Sequence, residues 1–434
     1  PEVLLPGPGV DLHRWAVIAC DQYTSEPEYW EAVDRLVADR PSTLRLVFPE
    51  VYLEDAGGDA RIADINASMK QYLADGVLVS QGPGFVLVDR KTSHVPSRLG
   101  LIVALDLEAY DYRPGSKTLI RTTEGTIVDR LPPRIRVREN AAIELPHIMV
   151  LIDDPEQTVI EPLRQAELEK IYDFELMQGG GHLRGWRVAQ PELLEQVASA
   201  LGALAVKERF QKRYEVNDNE VMLYAMGDGN HSFATAKAIW EQLKSAASDP
   251  ADIMTHPARY ALVELVNLHD PGLEFEAIHR VVFDVSVDDL LARAEAYYQA
   301  VGTPCIVAEY PGLVAATAAV AAAGTAHAIA FVTAQGYAVL RIDQPSLTLE
   351  VATLQNFLDE YLKSRSKARI DYIHGDAAVT RLGSQQGNIG FYLPSISKHD
   401  LFRTIVRDGA LPRKTFSMGE ADEKRFYLEA RRIT

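Results

Sequence analysis

Apolar and polar positions follow one another along this chain in two rhythms. Short apolar runs bounded by turn residues, "WAVIAC" (15–20), "GFVLVDR" (84–90), "LGLIVALDL" (99–107), "HIMVLID" (147–153), "VMLYAM" (221–226), "AIAFV" (328–332) and "YAVLRI" (337–342), predict strands. Apolar residues returning every three or four positions predict amphipathic helices over 28–39, 191–214, 232–247, 287–301 and 349–364. Strands and helices interleave for most of the length, which argues for an α/β or α+β fold. No internal repeat or low-complexity linker marks a boundary. From about 285 to 343 the chain reads helix, strand, alanine-rich helix, strand, strand, with few polar clusters. A small scaffold domain is expected at 285–345, between a catalytic region at 1–284 and a C-terminal segment at 346–434 that completes the site. The longest apolar tract, "GLVAATAAVAAAGTAHAIAFV", is mostly alanine and is interrupted by Gly324 and His327, so it predicts a packed helix followed by a strand and not a membrane span.

One junction between the two rhythms carries chemistry. In "YAMGDGNHSFATAKAIW" a buried strand ends at "VMLY" and Phe233, Ala236, Ile239, Trp240 and Leu243 open a helix, with Asp, Asn and His between them. Gly227 and Gly229 free the backbone for tight or left-handed conformations. Asp228, Asn230 and Ser232 are all good helix N-cap types, so capping alone accounts for one or two of them. Capping does not account for His231. Helix N-termini attract anions, which makes the turn a candidate phosphate cradle.

The composition, 47% hydrophobic and 24% charged, is that of an ordinary globular protein, and 434 residues allow two or three domains. A formal charge of -17 repels a phosphodiester backbone, so nucleic acid is not an expected partner. Cys20 and Cys305 are too few for a disulfide framework or a thiolate zinc site, which points to a reducing cytoplasm. The opening "PEVLLPGPGVDLHRW" lacks the basic and apolar regions of a signal peptide. A soluble, cytoplasmic protein with no membrane partner is therefore expected.

Three further polar clusters stand out. "LIRTTEGTIVDRLPPRIRVREN" holds Arg121, Thr122, Thr123, Glu124, Arg130, Arg134, Arg136 and Arg138, a local positive field suited to phosphate or carboxylate oxygens, or else a solvated strand pair laced with ion pairs. "PARYALVELVNLHDPGLEFEAIHRVVFD" sets Arg259, Glu264, Asn267, His269, His279 and Arg280 within apolar segments, where charges are costly unless paired. Arg259 with Glu264 is a conceivable clamp for an amino acid, and His279 with Arg280 places two donors at a sheet edge. "LPRKTFSMGEADEKRFYLEARRI" offers Arg413, Lys414 and Ser417 ahead of an expected charged, solvated helix containing Glu420, Glu423, Lys424 and Arg425. There is no GxxxxGK[ST] loop, and the glycine spacing of "MQGGGHLRG" does not fit the dinucleotide-binding fingerprint. HExxH, GxSxG and HRD motifs are also missing.

"GDGNHSFATA", "TEGTIVDR", "FEAIHR" and the C-terminal segment together resemble a bacterial family long catalogued as a domain of unknown function and related to free L-serine kinases of the ParB and sulfiredoxin-like superfamily. The resemblance runs from "ACDQYTSEPEYW" to the C-terminus. It implies a ParB/sulfiredoxin-like catalytic core with additional α/β segments. One branch of the family is similar to pyrophosphate-dependent serine kinases, which make O-phospho-L-serine, a precursor in cysteine biosynthesis. The superfamily's phosphate motif, Asp-Gly-His-His-Arg, reads here Asp228, Gly229, Asn230, His231, Ser232: Asp, Gly and the second His match, while the first His and the Arg do not. Positive charge must then come from elsewhere, with Arg280, Arg413 or Lys414 as candidates.

The resemblance implies a phosphotransferase acting on free L-serine with pyrophosphate and Mg2+. Asp228 orients the serine hydroxyl or binds the metal, and His231 holds the transferred group. Asp21 and Glu124 are the candidates for the base. Arg121, Thr122, Thr123, Arg130, Asn230, Ser232, Arg259, Glu264, Asn267, His279, Arg280, Arg413, Lys414 and Ser417 are the expected binding residues. Use of ADP or ATP, the reverse reaction on phosphoserine, and a non-catalytic effector-binding or DNA-partition-like role are the alternatives. The sequence leaves oligomeric state open.

Overall fold

The computed structural model describes residues 1–53 and 57–434. The chain divides into two compact units, one of Pro1–Glu274 with Met418–Thr434, the other of Phe275–Ser417. The segment expected at 285–345 lies inside the second. Both units mix helices with sheets, as the interleaved apolar rhythms require.

An eight-stranded sheet organises the first unit. From edge to edge its strands are Ile120–Arg121, Tyr224–Asp228, Met149–Ile152, Tyr260–Asn267, Arg98–Asp106, Phe85–Lys91, His182–Val188 and Glu169–Glu175. Tyr224–Asp228 runs parallel to Ile120–Arg121 and antiparallel to Met149–Ile152. The central strands have apolar side chains on both faces because each face carries its own core. Val86, Val88 and Ile102 join one cluster, and Leu87, Leu101 and Val103 the other. Alternate residues of a strand point to opposite faces, so "GFVLVDR" and "LGLIVALDL" read as unbroken apolar runs. The Asn230–Ala246 helix supplies Phe233, Ala236 and Trp240 to the second of these cores.

The second unit is built on a sheet that passes through Cys305–Tyr310, Gly336–Ile342, His327–Thr333, Ile389–Tyr392, Phe275–Phe283 and Arg369–His374 in that order. The alanine-rich tract forms the Leu313–Ala321 helix followed by the His327–Thr333 strand, as its sequence predicts. Phe275–Phe283 is flanked on both sides, by Ile389–Tyr392 and Arg369–His374. His279 and Arg280 therefore sit inside the sheet and not at the expected edge.

Three other expectations are corrected. "WAVIAC" is buried but forms no ladder beyond an isolated bridge from Ile18 to Phe426. Its backbone groups are met instead by Thr43 and by the C-terminal segment: the Val17 N–H donates to Thr43 Oγ1 at 3.2 Å, and the Ala19 N–H to the Arg425 carbonyl at 2.9 Å. The helix expected over 191–214 is two, Pro191–Leu204 and Lys207–Tyr214. The expected charged helix near the C-terminus is a short 3-10 turn, Ala421–Glu423, followed by buried irregular chain containing Phe426, Tyr427 and Leu428. Three consecutive large apolar residues cannot share one helix face, and Arg425 and Glu429 are buried with them.

Candidate active site

The Tyr224–Asp228 strand delivers Asp228 to a turn in which Gly229, at φ 77, is the N-cap of the Asn230–Ala246 helix. A Cβ at Gly229 would lie 3.0 Å from the Ile148 Cα, so both the left-handed backbone and the close approach require glycine. No side chain caps this helix. The Asp228 carboxylate accepts from the Gly229 N–H at 2.9 Å, outside the helix proper. The N–H groups of the first turn therefore lack the side-chain oxygen that normally occupies them.

The charges at the turn are arranged in a definite way. Burial pushes the Asp228 pKa up, but Lys424, His147 and the Gly229 N–H outweigh burial and hold the carboxyl below its ordinary value. Lys424 Nζ stands 3.4 Å from Asp228 Oδ2. His231 is the opposite case. Burial, then Arg134 and Arg130, lower its pKa to about 4 against the opposing charge of Asp21. The imidazole is neutral at neutral pH, and because Nε2 accepts the Ile127 N–H at 3.3 Å, the proton sits on Nδ1. Asn230 Oδ1 accepts from Thr122 Oγ1 at 2.9 Å, and Thr123 Oγ1 donates to the Met226 carbonyl at 2.6 Å, so the 122–124 loop is pinned to the turn. The Glu124 backbone carbonyl also lies against Thr122 Oγ1, so the single hydroxyl hydrogen is shared between these two acceptors.

A second chain of contacts runs beneath the turn. Ser232 Oγ is 3.0 Å from His147 Nε2, and His147 Nδ1 is 2.8 Å from the Tyr427 hydroxyl, which accepts the Cys20 N–H at 3.2 Å. Arg134 pairs with Glu50, whose pKa is raised by burial against the pull of Arg134. The Cys20 thiol is pushed up by burial and then by Asp21 and Glu50, which leaves it unreactive at neutral pH.

Of the expected site residues, Asp228, Asn230, His231, Ser232, Thr122, Thr123 and Glu124 are brought together here. Asp21 and Arg130 are near enough for their charges to act on His231. Arg121 is buried and holds the Thr118 and Glu220 carbonyls, at 3.1 and 2.7 Å. Arg259 pairs with Asp106 at 2.5 Å and not with Glu264, which is buried against Arg425. Burial works against the Glu264 carboxylate, but Arg425 and Arg98 outweigh it and hold its pKa low. Asn267 ties the Asp154 carbonyl to Glu161 with its amide, at 2.8 and 2.7 Å. His279, Arg280, Arg413, Lys414 and Ser417 belong to the second unit. There Arg280 is fully buried, bonded to Gln355, the Ile278 carbonyl and the Arg413 carbonyl. Arg413 pairs with Asp359 at 3.1 Å.

The sequence alone does not single out Lys424, Glu50, His147 and Tyr427 as site residues, and it marks Arg134 only as one arginine of the 121–138 cluster. Lys424 and Tyr427 sit in the segment whose charges imitate a solvated helix, and Glu50 and His147 are single polar residues in apolar surroundings with no local pattern to mark them. Among the described residues no group of three or more His, Cys, Asp or Glu is arranged to hold a metal. Magnesium commonly binds through one or two carboxylates together with substrate phosphates, so Asp228 suits a magnesium ion carried on a phosphate donor, not one in a protein cage.

A family model described as a protein of unknown function, DUF1015, matches residues 4–361. The chain belongs to the DUF1015 family. No curated protein matches it. Solved structures to which the chain is similar include a free serine kinase in complex with AMP, at 12% identity and a TM-score of 0.39, covering 77% of this chain and 91% of that one. A hypothetical protein from Pyrococcus furiosus gives 13% identity and a TM-score of 0.35, with 75% and 90% covered. C-terminally truncated SbnI from Staphylococcus aureus gives 8% identity and a TM-score of 0.36, with 73% and 82% covered. Among the described residues no helix is long and apolar enough to cross a membrane.

Proposed function

We propose that this DUF1015 protein transfers a phosphoryl group to the hydroxyl of free L-serine, with pyrophosphate as donor and magnesium bound to it. The observation that supports the reading best is the turn at 228–231, where an uncapped helix N-terminus, an ionised Asp228 beside Lys424 and a neutral His231 meet. Uncapped N–H groups, the Nδ1–H of His231 and the Lys424 ammonium are donors suited to phosphoryl oxygens. In this reading Lys424 supplies positive charge where the motif of the superfamily that the sequence resembles has an arginine and this chain has Ser232. Magnesium neutralises the charge of the donor phosphates.

In this reading serine Oγ attacks a terminal phosphorus, a new O–P bond forms and the bridging O–P bond breaks. The hydroxyl proton passes to the Asp21 carboxylate and orthophosphate leaves. Asp228, already held by Lys424 and the Gly229 N–H, orients the reacting groups. Phosphoryl transfer depends mainly on such positioning and on charge neutralisation.

The test is phosphorus NMR of the protein with serine, magnesium and, in separate tubes, pyrophosphate, ADP or ATP. Phosphoserine and orthophosphate are expected in equal amounts with pyrophosphate; with ADP or ATP phosphoserine should form much more slowly, beside AMP or ADP respectively. Asp228→Asn should lower that turnover by at least about a hundredfold with the fold intact. Product only with a nucleotide overturns the donor assignment, and no product with any donor overturns the reaction.

A further inference from the structure

Beneath the turn lies a cavity of ≈ 140 Å³ that Asp228 and His231 do not line. Most of its wall is apolar, with Leu46, Phe48, Met69, Ile143 and Leu262 contributing. Its polar lining includes the Glu50–Arg134 ion pair, the Arg138–Glu144 pair and the Ser232–His147–Tyr427 chain. The Arg138–Glu144 pair is further closed by Arg431, which also bonds Glu144. The two arginines are alike in exposure, 20% for Arg138 and 19% for Arg134, but Glu144 keeps only 3% and is bonded by two arginines, whereas Glu50 keeps 18%, so Glu50 is the carboxylate of the cavity that water reaches.

A lone carboxylate entering such a cavity would draw Arg134 away and leave Glu50 unpaired in a buried position, and a lone amine would do the same to Arg134. Uncompensated buried charge is expensive in either case. A zwitterion avoids both losses, because its carboxylate takes Arg134 while its ammonium takes Glu50. The apolar wall then selects the side chain attached to that head group: a void of about 150 Å³ lined by aliphatic and aromatic side chains accommodates a molecule the size of benzene. We propose that this cavity binds an α-amino acid with a small aliphatic side chain, leucine or valine in size, as a ligand distinct from the serine acceptor. A hydroxymethyl group would leave most of the apolar wall uncovered, so serine is the weaker ligand here. The proposal does not depend on the phosphotransferase reading, since it concerns binding alone.

Isothermal titration of the full chain with L-leucine tests it, alongside 4-methylpentanoate, which lacks the ammonium, 3-methylbutylamine, which lacks the carboxylate, and L-serine. Leucine is expected to bind saturably with one site per chain. Each singly charged analogue should bind about tenfold or more weakly, as the loss of one charge-assisted hydrogen bond implies. Ala141 is buried in the cavity wall, and Ala141→Leu should fill the space and abolish leucine binding. If that variant fails to fold, the methyl resonance of Met69 in the unaltered protein still decides, because leucine in the cavity must shift it. No saturable leucine binding, equal binding of the singly charged analogues, an unaffected Ala141→Leu, an unmoved Met69 methyl, or a Met69 methyl that serine shifts as strongly as leucine does each overturns the proposal.

Discussion

His231 holds a proton poorly because burial, Arg134 and Arg130 together outweigh Asp21, and this decides what it can do at the turn. As a neutral imidazole with its hydrogen on Nδ1 it can donate to a phosphoryl oxygen without the charge that would fix orthophosphate in place. The same shift has a consequence for stability. The ordinary value is 6.5 and the folded value is about 4, so between those limits the unfolded chain binds more protons at this residue than the folded chain does. Stability contributed by the neutral form is therefore present above pH 6.5 and is lost as the pH falls towards 4. His231→Gln, which cannot titrate, should lose less stability between pH 7 and pH 5 than the unaltered protein does, measured by urea denaturation at each pH. An unchanged pH dependence would mean that His231 is not held neutral by the fold. The sequence shows that His231 is not needed for capping, but not its protonation, since burial sets it first and the two arginines that add to it come from about a hundred positions away.

At the scale of the element, the strand, the glycine and the helix form one device. The helix predicted over 232–247 begins two residues earlier, at Asn230, because Gly229 rather than a polar side chain is the N-cap. Its apolar stripe is legible since it buries one face against the sheet, and its exact start is not, since Asp, Asn and Ser all imitate a cap. Gly229→Ala tests the device. An alanine at φ 77 costs roughly 1–2 kcal/mol in backbone conformation alone. Its Cβ also meets Ile148 Cα at 3.0 Å, which is backbone and cannot swing aside. Thermal unfolding should shift downward by several degrees, and turnover should fall further than stability does, because the strand end and helix start are displaced together. Gly229→Asn, which tolerates the left-handed region better, should fall between the two in stability. A variant with alanine and an unaltered melting temperature would show that the turn is not held as described. The elements that the sequence hides share one cause: "WAVIAC" and the segment after Glu423 satisfy each other across the whole length of the chain, and no local period records such a pairing.

For the whole molecule, the unexpected feature is the return of the chain. The sequence suggests consecutive domains, whereas the last residues, Met418–Thr434, belong to the same unit as the first. Composition does not change at either crossing, so nothing local marks it. The crossing points are close in space: the Gly419 N–H donates to the Glu274 carbonyl at 3.3 Å. Two core clusters of the first unit are drawn wholly from Pro1–Glu274 and Met418–Thr434, and the cluster around Val281 and Ala330 wholly from the second. Phe275–Ser417 is thus an insertion whose ends already meet, and closing a short loop costs less entropy than closing a long one. Replacing it with a few glycine and serine residues should leave the first unit folded, with Lys424 and Tyr427 still delivered by the C-terminal segment. All four tryptophans, Trp15, Trp30, Trp186 and Trp240, lie in that unit, so tryptophan fluorescence reports on it alone. The shortened chain should keep the tryptophan emission maximum of the full chain and unfold in a single cooperative transition. A chain whose emission instead moves to the red while it keeps its helical dichroism, and which binds a hydrophobic dye, would show that the first unit depends on the second for its packing.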